Sequence, residues 1–316
     1  MKRLGTAVIG VGHWGRNHVR VLSEIEKAEL MAICDLNEER ARELGKIYGV
    51  PYFTKPEELM KNERIDALII CTSPSSLASV AKMGLEKGKH VFVEKPMAIR
   101  SQDALELVRL AEREELNLMV GFIERFNPAV KCLKELLSRG KLGRIASLTS
   151  KRLSAWPGRF NIDVVMDLAV HDIDMSRYLL EEEPEVVYAR VGRLKLKSLN
   201  DFAFITLSFS GDKTALIEVN WLTPGKEREL RVTGSEAVAT LNYITREVFI
   251  RSEGAVERLE VPSAEPLKLE LEHFITCVLE GREPLVRGID GYIALRICEL
   301  ALLSSLSGKA VRVETV

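Results

Sequence analysis

The strongest constraint on the fold lies near the N-terminus. Leu4–Ile9 reads as a buried strand and runs directly into Gly10-Val11-Gly12-His13-Trp14-Gly15, after which Asn17–Ile25 has helical spacing. Glycines in such a strand-to-helix turn allow a tight reversal, a close approach of backbone N–H groups to a pyrophosphate, and tight helix-on-strand packing. The helix N-terminus adds positive potential. Alone the hexapeptide is a weak signal, but here a second strand, Glu29–Cys34, follows and ends in Asp35. A carboxylate at that place accepts hydrogen bonds from ribose hydroxyls. Gly10, Gly12, His13, Trp14, Gly15 and Asp35 therefore predict an NAD site, and the charge of Asp35 disfavours the 2′-phosphate of NADP. Asp35 also suits the start of a helix over Asn37–Tyr48, a role compatible with the first.

Strand and helix patterns continue to alternate: strand Asp66–Cys71, helix Ser75–Lys87, strand His90–Val93, helix Ser101–Glu115, strand Asn117–Val120. This alternation specifies an α/β Rossmann-type domain, a doubly wound parallel sheet, over residues 1–123. Thr72-Ser73-Pro74 follows a strand at the ligand-binding edge, where it either lines the cofactor or simply caps the next helix. The run His90-Val91-Phe92-Val93-Glu94-Lys95-Pro96 ends abruptly, because Pro96 cannot continue an inner ladder. Lys95 is thereby delivered to the crevice at the carboxyl ends of the strands, as a candidate for chemistry or as a partner of Glu94 and solvent. Glu94 itself either fixes the lysine or touches the cofactor.

After Gly121 the pattern changes. Phe122–Pro128 reads as a linker and Ala129–Arg139 as a helix, followed by β-rich runs at Ile145–Leu153, Val186–Lys195, Ala203–Phe209, Lys213–Trp221, Glu229–Gly234, Ala237–Tyr243, Glu247–Arg251 and Glu257–Val261. Turns such as Ser210-Gly211-Asp212 argue for hairpins. Residues 124–316 are thus expected to form an α+β domain with a large, mostly antiparallel open sheet and helices on one face. The opposite face would suit a homodimer or homotetramer. Pro266–Gly281 and Ile289–Leu306 read as helices and Ala310–Val313 as a last strand.

Asp163–Leu180 has a helix pattern containing Asp167-Leu168-Ala169-Val170-His171-Asp172-Ile173-Asp174. Residues four apart share a face, so Asp167 and His171 project together. They are compatible with a buried structural pair, with a metal site completed by Asp174, or with a catalytic pair in which His171 meets a reacting hydroxyl. No further histidine lies nearby to support the metal, and none is expected.

With 45 basic and 46 acidic residues the chain has a formal charge of -1, and no Lys/Arg tract marks a nucleic-acid partner. No segment approaches the ~18 uninterrupted apolar residues of a membrane span, and no leader precedes the first strand, so a cytoplasmic protein is expected. The five cysteines are scattered singly through apolar runs and read as buried thiols. Glutamine occurs only at Gln102 while Glu, Lys and Arg abound, a bias that fits a thermophile.

Gly10-x-Gly12-x-x-Gly15 with His18, the strand ending Glu94-Lys95-Pro96, and Asp167-x-x-x-His171 occur in an order and spacing that resemble the Gfo/Idh/MocA family of sugar and inositol oxidoreductases. The resemblance covers essentially the whole chain. It implies that Lys95, Asp167 and His171 form the site at which a sugar or cyclitol carbinol is oxidised. Gly121-Phe122-Ile123-Glu124-Arg125-Phe126-Asn127-Pro128, Pro157-Gly158-Arg159 and Asn220-Trp221-Leu222-Thr223-Pro224 further resemble the branch of that family that oxidises UDP-N-acetylglucosamine at C3. Arg125 then joins the expected cofactor contacts. Where the family commonly has a histidine after the Thr/Ser-Pro turn, this chain has Leu77 and Ala78.

The implied reaction sets the carbinol hydrogen against nicotinamide while the hydroxyl bonds Lys95 and His171. Lys95 is the expected base, since a positive nicotinamide and burial both disfavour an ammonium. His171 as base, with Lys95 polarising the oxygen, is the alternative. A nucleotide-sugar diphosphate would need cations and its rings a flat wall, for which Lys151, Arg152, Arg159, Trp156 and Trp221 are the candidates. For the arginines the alternative is solvated surface charge, and for the tryptophans a core or oligomer contact. Inositol or simple sugar dehydrogenase is the runner-up activity. A non-catalytic NAD-binding regulator is the rival from another class, although a sensor has no need of Lys95, Asp167 and His171.

Overall fold

A computed structural model describes residues 3–158 and 162–314. The chain divides into two units, one formed by Met1–Ile123 with Glu265–Ile293 and one by Glu124–Ala264 with Ala294–Val316. The sequence pattern places all of 124–316 in one domain, so the return of Glu265–Ile293 to the first unit is a difference.

The first unit alternates strictly: β1 (Leu4–Ile9), α1 (Gly15–Glu24), β2 (Ala28–Cys34), α2 (Glu38–Tyr48), β3 (Tyr52–Phe53), α3 (Pro56–Leu59), β4 (Ala67–Ile70), α4 (Pro74–Glu86), β5 (His90–Glu94), α5 (Ser101–Arg113) and β6 (Leu118–Gly121). The short β3 and α3 have no periodic signature in the sequence. All six strands pair in parallel in the order β3-β2-β1-β4-β5-β6, the doubly wound arrangement whose direction reverses beside β1. Its inner strands are closed to solvent on both faces, as a sheet sandwiched by helices requires: β1 and β4 are buried along their whole length.

The second unit begins with a short 3-10 turn, Ile123–Phe126, and α6 (Pro128–Ser138), then β7 (Ile145–Ala155). A π-helical turn, Val165–Ala169, leads into α7 (Val170–Leu180). The strands β8 (Val186–Gly192), β9 (Phe202–Ser208), β10 (Thr214–Asn220), β11 (Leu222–Gly234), β12 (Val238–Asn242), β13 (Glu247–Ser252) and β14 (Ala255–Leu259) follow. Next come α8 (Pro266–Glu280) and α9 (Gly288–Ser307), which supplies residues 288–293 to the first unit and the rest to the second, and finally β15 (Val311–Arg312). The sheet has nine strands in the order β14-β13-β12-β11-β7-β10-β9-β8-β15. Among the described residues every pairing in this sheet is antiparallel except β7 with β10, which run parallel.

One face of this sheet is closed. Leu148, Ala189, Ile205, Ile217, Val232 and Leu241 are fully or nearly fully buried on it, and α6 packs against β12 and β13 while α7 packs against β7 and β10. The alternate residues Tyr188, Phe204 and Leu216 are exposed, as period-two alternation dictates. Strand β11 is longer than its sequence pattern suggests, because Pro224 and Gly225 mask its first half. The register slips between Leu222 and Glu227, so the strand carries them in an irregularity rather than breaking.

The segment 265–293 completes the first unit. Phe274 of α8 meets Phe92 of β5 edge-on at 5.8 Å, and Arg20 of α1 reaches Glu265 at 2.5 Å. Val120 N–H donates to Val286 O at 3.3 Å, and Met119 bridges Arg287, so the chain covers the free side of β6. An amphipathic helix pattern says that α8 buries a face, but does not say against which unit.

Candidate active site

In the first unit, the carboxyl ends of β1, β2, β4 and β5 bring the cofactor candidates together. Gly10 has φ +86°, and a Cβ there would sit 2.7 Å from the backbone of Cys71 and Thr72. A Cβ on Gly15 would lie 1.8 Å from Gly10 O, so α1 can start where it does only with glycine. Gly12 is different: its nearest neighbour would be Arg40 Nη1 at 3.9 Å, which leaves the loop open on that side. An open glycine flanked by two that must be glycine is the cradle a pyrophosphate needs.

Asp35 directly follows β2 and is buried. Its Oδ2 accepts from Val11 N–H at 2.9 Å and its Oδ1 from Asn37 N–H at 2.9 Å, while Arg40 Nη1 lies 3.2 Å from Oδ2. The carboxylate thus ties the glycine loop to the start of α2, and Asn37 takes the capping role by accepting from Arg40 N–H. Thr72 Oγ1 is buried with no hydrogen-bond partner among the described residues, an orphan that a ligand oxygen would satisfy. Ser73 is the N-cap position of α4, its hydroxyl 2.9 Å from that of Ser76, and Pro74 is the first residue of that helix. His13 is exposed and Trp14 is 41% exposed. The glycine cradle and the orphaned threonine together fit a dinucleotide.

Glu94 links the two motifs of this unit. Its Oε1 accepts from Trp14 Nε1 at 2.7 Å and from His18 Nε2 at 2.9 Å, and its Oε2 accepts from Lys95 N–H at 3.3 Å. A Cβ on Gly121 would come within 3.0 Å of Glu94 Oε1, so Gly121 keeps the carboxylate's space open. His18, fully buried, packs 5.4 Å from Phe92 and 6.0 Å from Trp14. Glu94 therefore fixes the glycine loop to the strand end that bears Lys95, and the Lys95–Pro96 peptide is cis.

In the second unit, Asp167 lies in the π-helical turn and His171 in the first turn of α7, both buried. Such an irregular turn is a common feature of functional helices, and here it is held from outside. Asp163 Oδ1 accepts from Val165 N–H at 3.0 Å, and its Oδ2 from Asn200 Nδ2 at 2.5 Å. Asn200 precedes Asp201, which accepts from the backbone N–H groups of Leu194, Lys195 and Leu196. Burial raises the Asp201 carboxyl, but those backbone donors outweigh it and hold the group below its usual range. Sequence reading missed Asp201, because a lone aspartate before a strand looks like a turn residue.

Arg152 and Trp221, expected to face a substrate, are each only 1% exposed. Arg152 Nε donates to Asp172 Oδ2 at 2.8 Å and its Nη1 to Glu124 Oε1 at 3.2 Å, with the guanidinium 5.2 Å from the Tyr243 ring centre. Burial opposes its charge, and the two carboxylates hold it. β7 alternates faces, and Arg152 falls on the closed side with Leu148 and Ser150, so an arginine there must carry its own counter-ions inside. Trp221 packs against Trp156, the ring centres 4.3 Å apart and the planes tilted by 58°. Arg125, expected at the cofactor, is buried and grips Asp174 through Nε at 2.9 Å and Nη2 at 2.6 Å, over the Tyr178 ring. Lys151 points to the opposite, exposed face of β7. Arg159 lies outside the described residues. Among the described residues no group of three or more His, Cys, Asp or Glu side chains is placed to hold a metal ion, and no helix is long and apolar enough to cross a membrane.

Two family models match this chain. One, described as an oxidoreductase family with an NAD-binding Rossmann fold, matches residues 4–122, and the other, a GFO/IDH/MocA C-terminal domain, matches residues 130–240. The myo-inositol 2-dehydrogenase of Thermotoga maritima is 29% identical over 98% of each chain. The UDP-N-acetylglucosamine 3-dehydrogenase of Acidithiobacillus ferrooxidans is 28% identical over 92% of this chain and 94% of its own. A solved structure of the latter enzyme aligns with a TM-score of 0.89 at 26% identity, over 97% of this chain and 99% of its own.

Proposed function

The chain belongs to the Gfo/Idh/MocA family of NAD-dependent sugar and polyol oxidoreductases, and on that premise we propose that it oxidises a secondary hydroxyl of a nucleotide sugar, UDP-N-acetylglucosamine being the first candidate. The observation that carries this reading is the match to a UDP-N-acetylglucosamine 3-dehydrogenase along 97% of this chain. A second reading, inositol or simple sugar dehydrogenase, is favoured by the 29% identity to a myo-inositol 2-dehydrogenase.

Bound NAD supplies the hydride acceptor. Lys95 takes the proton from the substrate hydroxyl during oxidation and returns it in the reverse direction. His171 is the second hydrogen-bond partner of that hydroxyl, and Asp167 orients the histidine or a neighbouring substrate oxygen. Glu94 performs no transfer in this scheme. Held by Trp14 and His18, it keeps the lysine backbone fixed against the glycine loop. If His171 were the base instead, His171→Ala would remove the acidic limb of the kcat/KM profile while Lys95→Ala kept it.

The test is NAD reduction by the wild-type enzyme with UDP-N-acetylglucosamine, myo-inositol and free glucose in parallel. The proposal expects the nucleotide sugar to have the highest kcat/KM. Turnover with inositol alone would remove the nucleotide-sugar reading in favour of the second.

A further inference from the structure

Arg228 lies opposite Arg152 in the β11–β7 register, so the two side chains share the closed face of the sheet. Their surroundings differ. Arg152 is committed to Asp172 and Glu124. Arg228 makes no ion pair among the described residues, and its Nε is buried without a hydrogen-bond partner. The charged groups that act on it are Arg152, Glu124, Asp172 and Asp167. Burial opposes the charge of Arg228 most, the like charge of Arg152 comes next, and the carboxylates act the other way, two of them already facing Arg152.

Beside it, Ser150 Oγ and Tyr243 OH are likewise buried without partners among the described residues. Neighbouring buried donors left unmade at one place on a sheet are costly unless something fills them. As a residue Arg228 is half-buried, less enclosed than Arg152, although its Nε is buried. Just before it, Pro224–Glu227 is an exposed, irregular run that leaves the approach along β11 open. A half-buried arginine, repelled by a neighbouring arginine and within electrostatic range of Asp167, suits an incoming anion with planar or tetrahedral oxygens.

We propose that Arg228 binds the anionic group of the substrate, a phosphoryl oxygen of a nucleotide sugar, and so selects phosphorylated sugars over neutral polyols. This inference rests on the nucleotide-sugar reading and deepens it.

The experiment compares full-length wild type, Arg228→Gln and Arg228→Lys, using UDP binding by calorimetry and steady-state kinetics with UDP-N-acetylglucosamine. In Arg228→Gln the UDP dissociation constant and the KM for the nucleotide sugar should both rise about tenfold or more, with the KM for NAD unchanged. Arg228→Lys should recover part of the loss, which a purely structural role would not produce, and it remains informative if the glutamine variant fails to fold. If wild type turns over the nucleotide sugar and Arg228→Gln leaves both constants within about twofold, the assignment of Arg228 is overturned and the substrate reading stands. If wild type binds UDP through Arg228 yet does not oxidise the nucleotide sugar, the substrate reading fails and Arg228 remains an anion site. If wild type neither binds UDP nor oxidises the nucleotide sugar, both fall.

Discussion

Asp35 carries local structure, and we propose that it carries cofactor selectivity as well. Its two oxygens are tied by Val11 N–H and Asn37 N–H, and Arg40 stands beside them at 3.2 Å. A 2′-phosphate would meet the carboxylate charge, whereas Arg40 alone would welcome it. Asp35→Ser should therefore move the ratio of kcat/KM for NAD over NADP toward NADP by about tenfold or more, and raise the KM for NAD as the loop loses its anchor. An unchanged ratio would mean that the ribose does not lie at Asp35. Arg152 makes the opposite point. Read in the sequence it is a cation available to a diphosphate, but it is 1% exposed between two carboxylates. Arg152→Met would leave Asp172 and Glu124 buried and uncompensated, so thermal or denaturant unfolding should report a loss of about 3–5 kcal/mol. A loss under about 1 kcal/mol would show that the network is solvated after all.

Elements were legible where periodicity is strong. β1, the glycine turn and the β4–β6 alternation follow directly from apolar runs separated by capped helices, and β1 has the same bounds in the structure as in the sequence. β11 was legible only from Glu229 onward, because Pro224 and Gly225 lie in the irregular half of the strand. The docking of α8 was not legible, since an apolar stripe does not name its partner. Around the candidate site, the tight glycine turn, the carboxylate that follows β2 and the strand end that bears Lys95 were legible from local pattern, whereas the linkage of Glu94 to Trp14 and His18 required long-range contacts that no local pattern encodes. The pairing of β5 with β6 carries a pH dependence of its own. His90 Nδ1 accepts from Asn117 N–H at 3.0 Å, and burial lowers the histidine below its ordinary value. Neutral His90 is the folded form, so its contribution is fully present above the unfolded pKa of about 6.5 and is lost as pH falls through the lower folded value. Wild type should lose stability across that interval more steeply than His90→Gln, as read by urea unfolding at several pH values. Parallel curves would remove His90 as a source of the dependence.

At the scale of the whole molecule the first unit is the NAD-binding Rossmann domain, and the second carries Asp167, His171 and Arg228, the residues we propose for the substrate. The second unit also exposes one face of its sheet. Tyr188 is 40%, Phe204 53% and Leu216 44% exposed, and the row across the strands runs Arg190, Phe204, Glu218, Lys151, Glu229 in register. Arg190 and Glu218 flank Phe204 with opposite signs, an arrangement that is self-complementary about a two-fold axis through Phe204, and we propose a second copy of this chain as the occupant. Phe204→Asp with Leu216→Asp should shift the mass in solution, read by analytical ultracentrifugation, from a dimer or tetramer to the monomer. A wild type that sediments as a monomer would contradict this. The central claim, however, is chemical: Lys95 moves the hydroxyl proton. It is tested most directly by the single-turnover rate of NADH formation in Lys95→Ala with NAD and sugar both saturating. The account predicts a rate about 10²–10⁴-fold below wild type with NAD affinity retained, the range expected for loss of a general base. A rate within about threefold of wild type would contradict it.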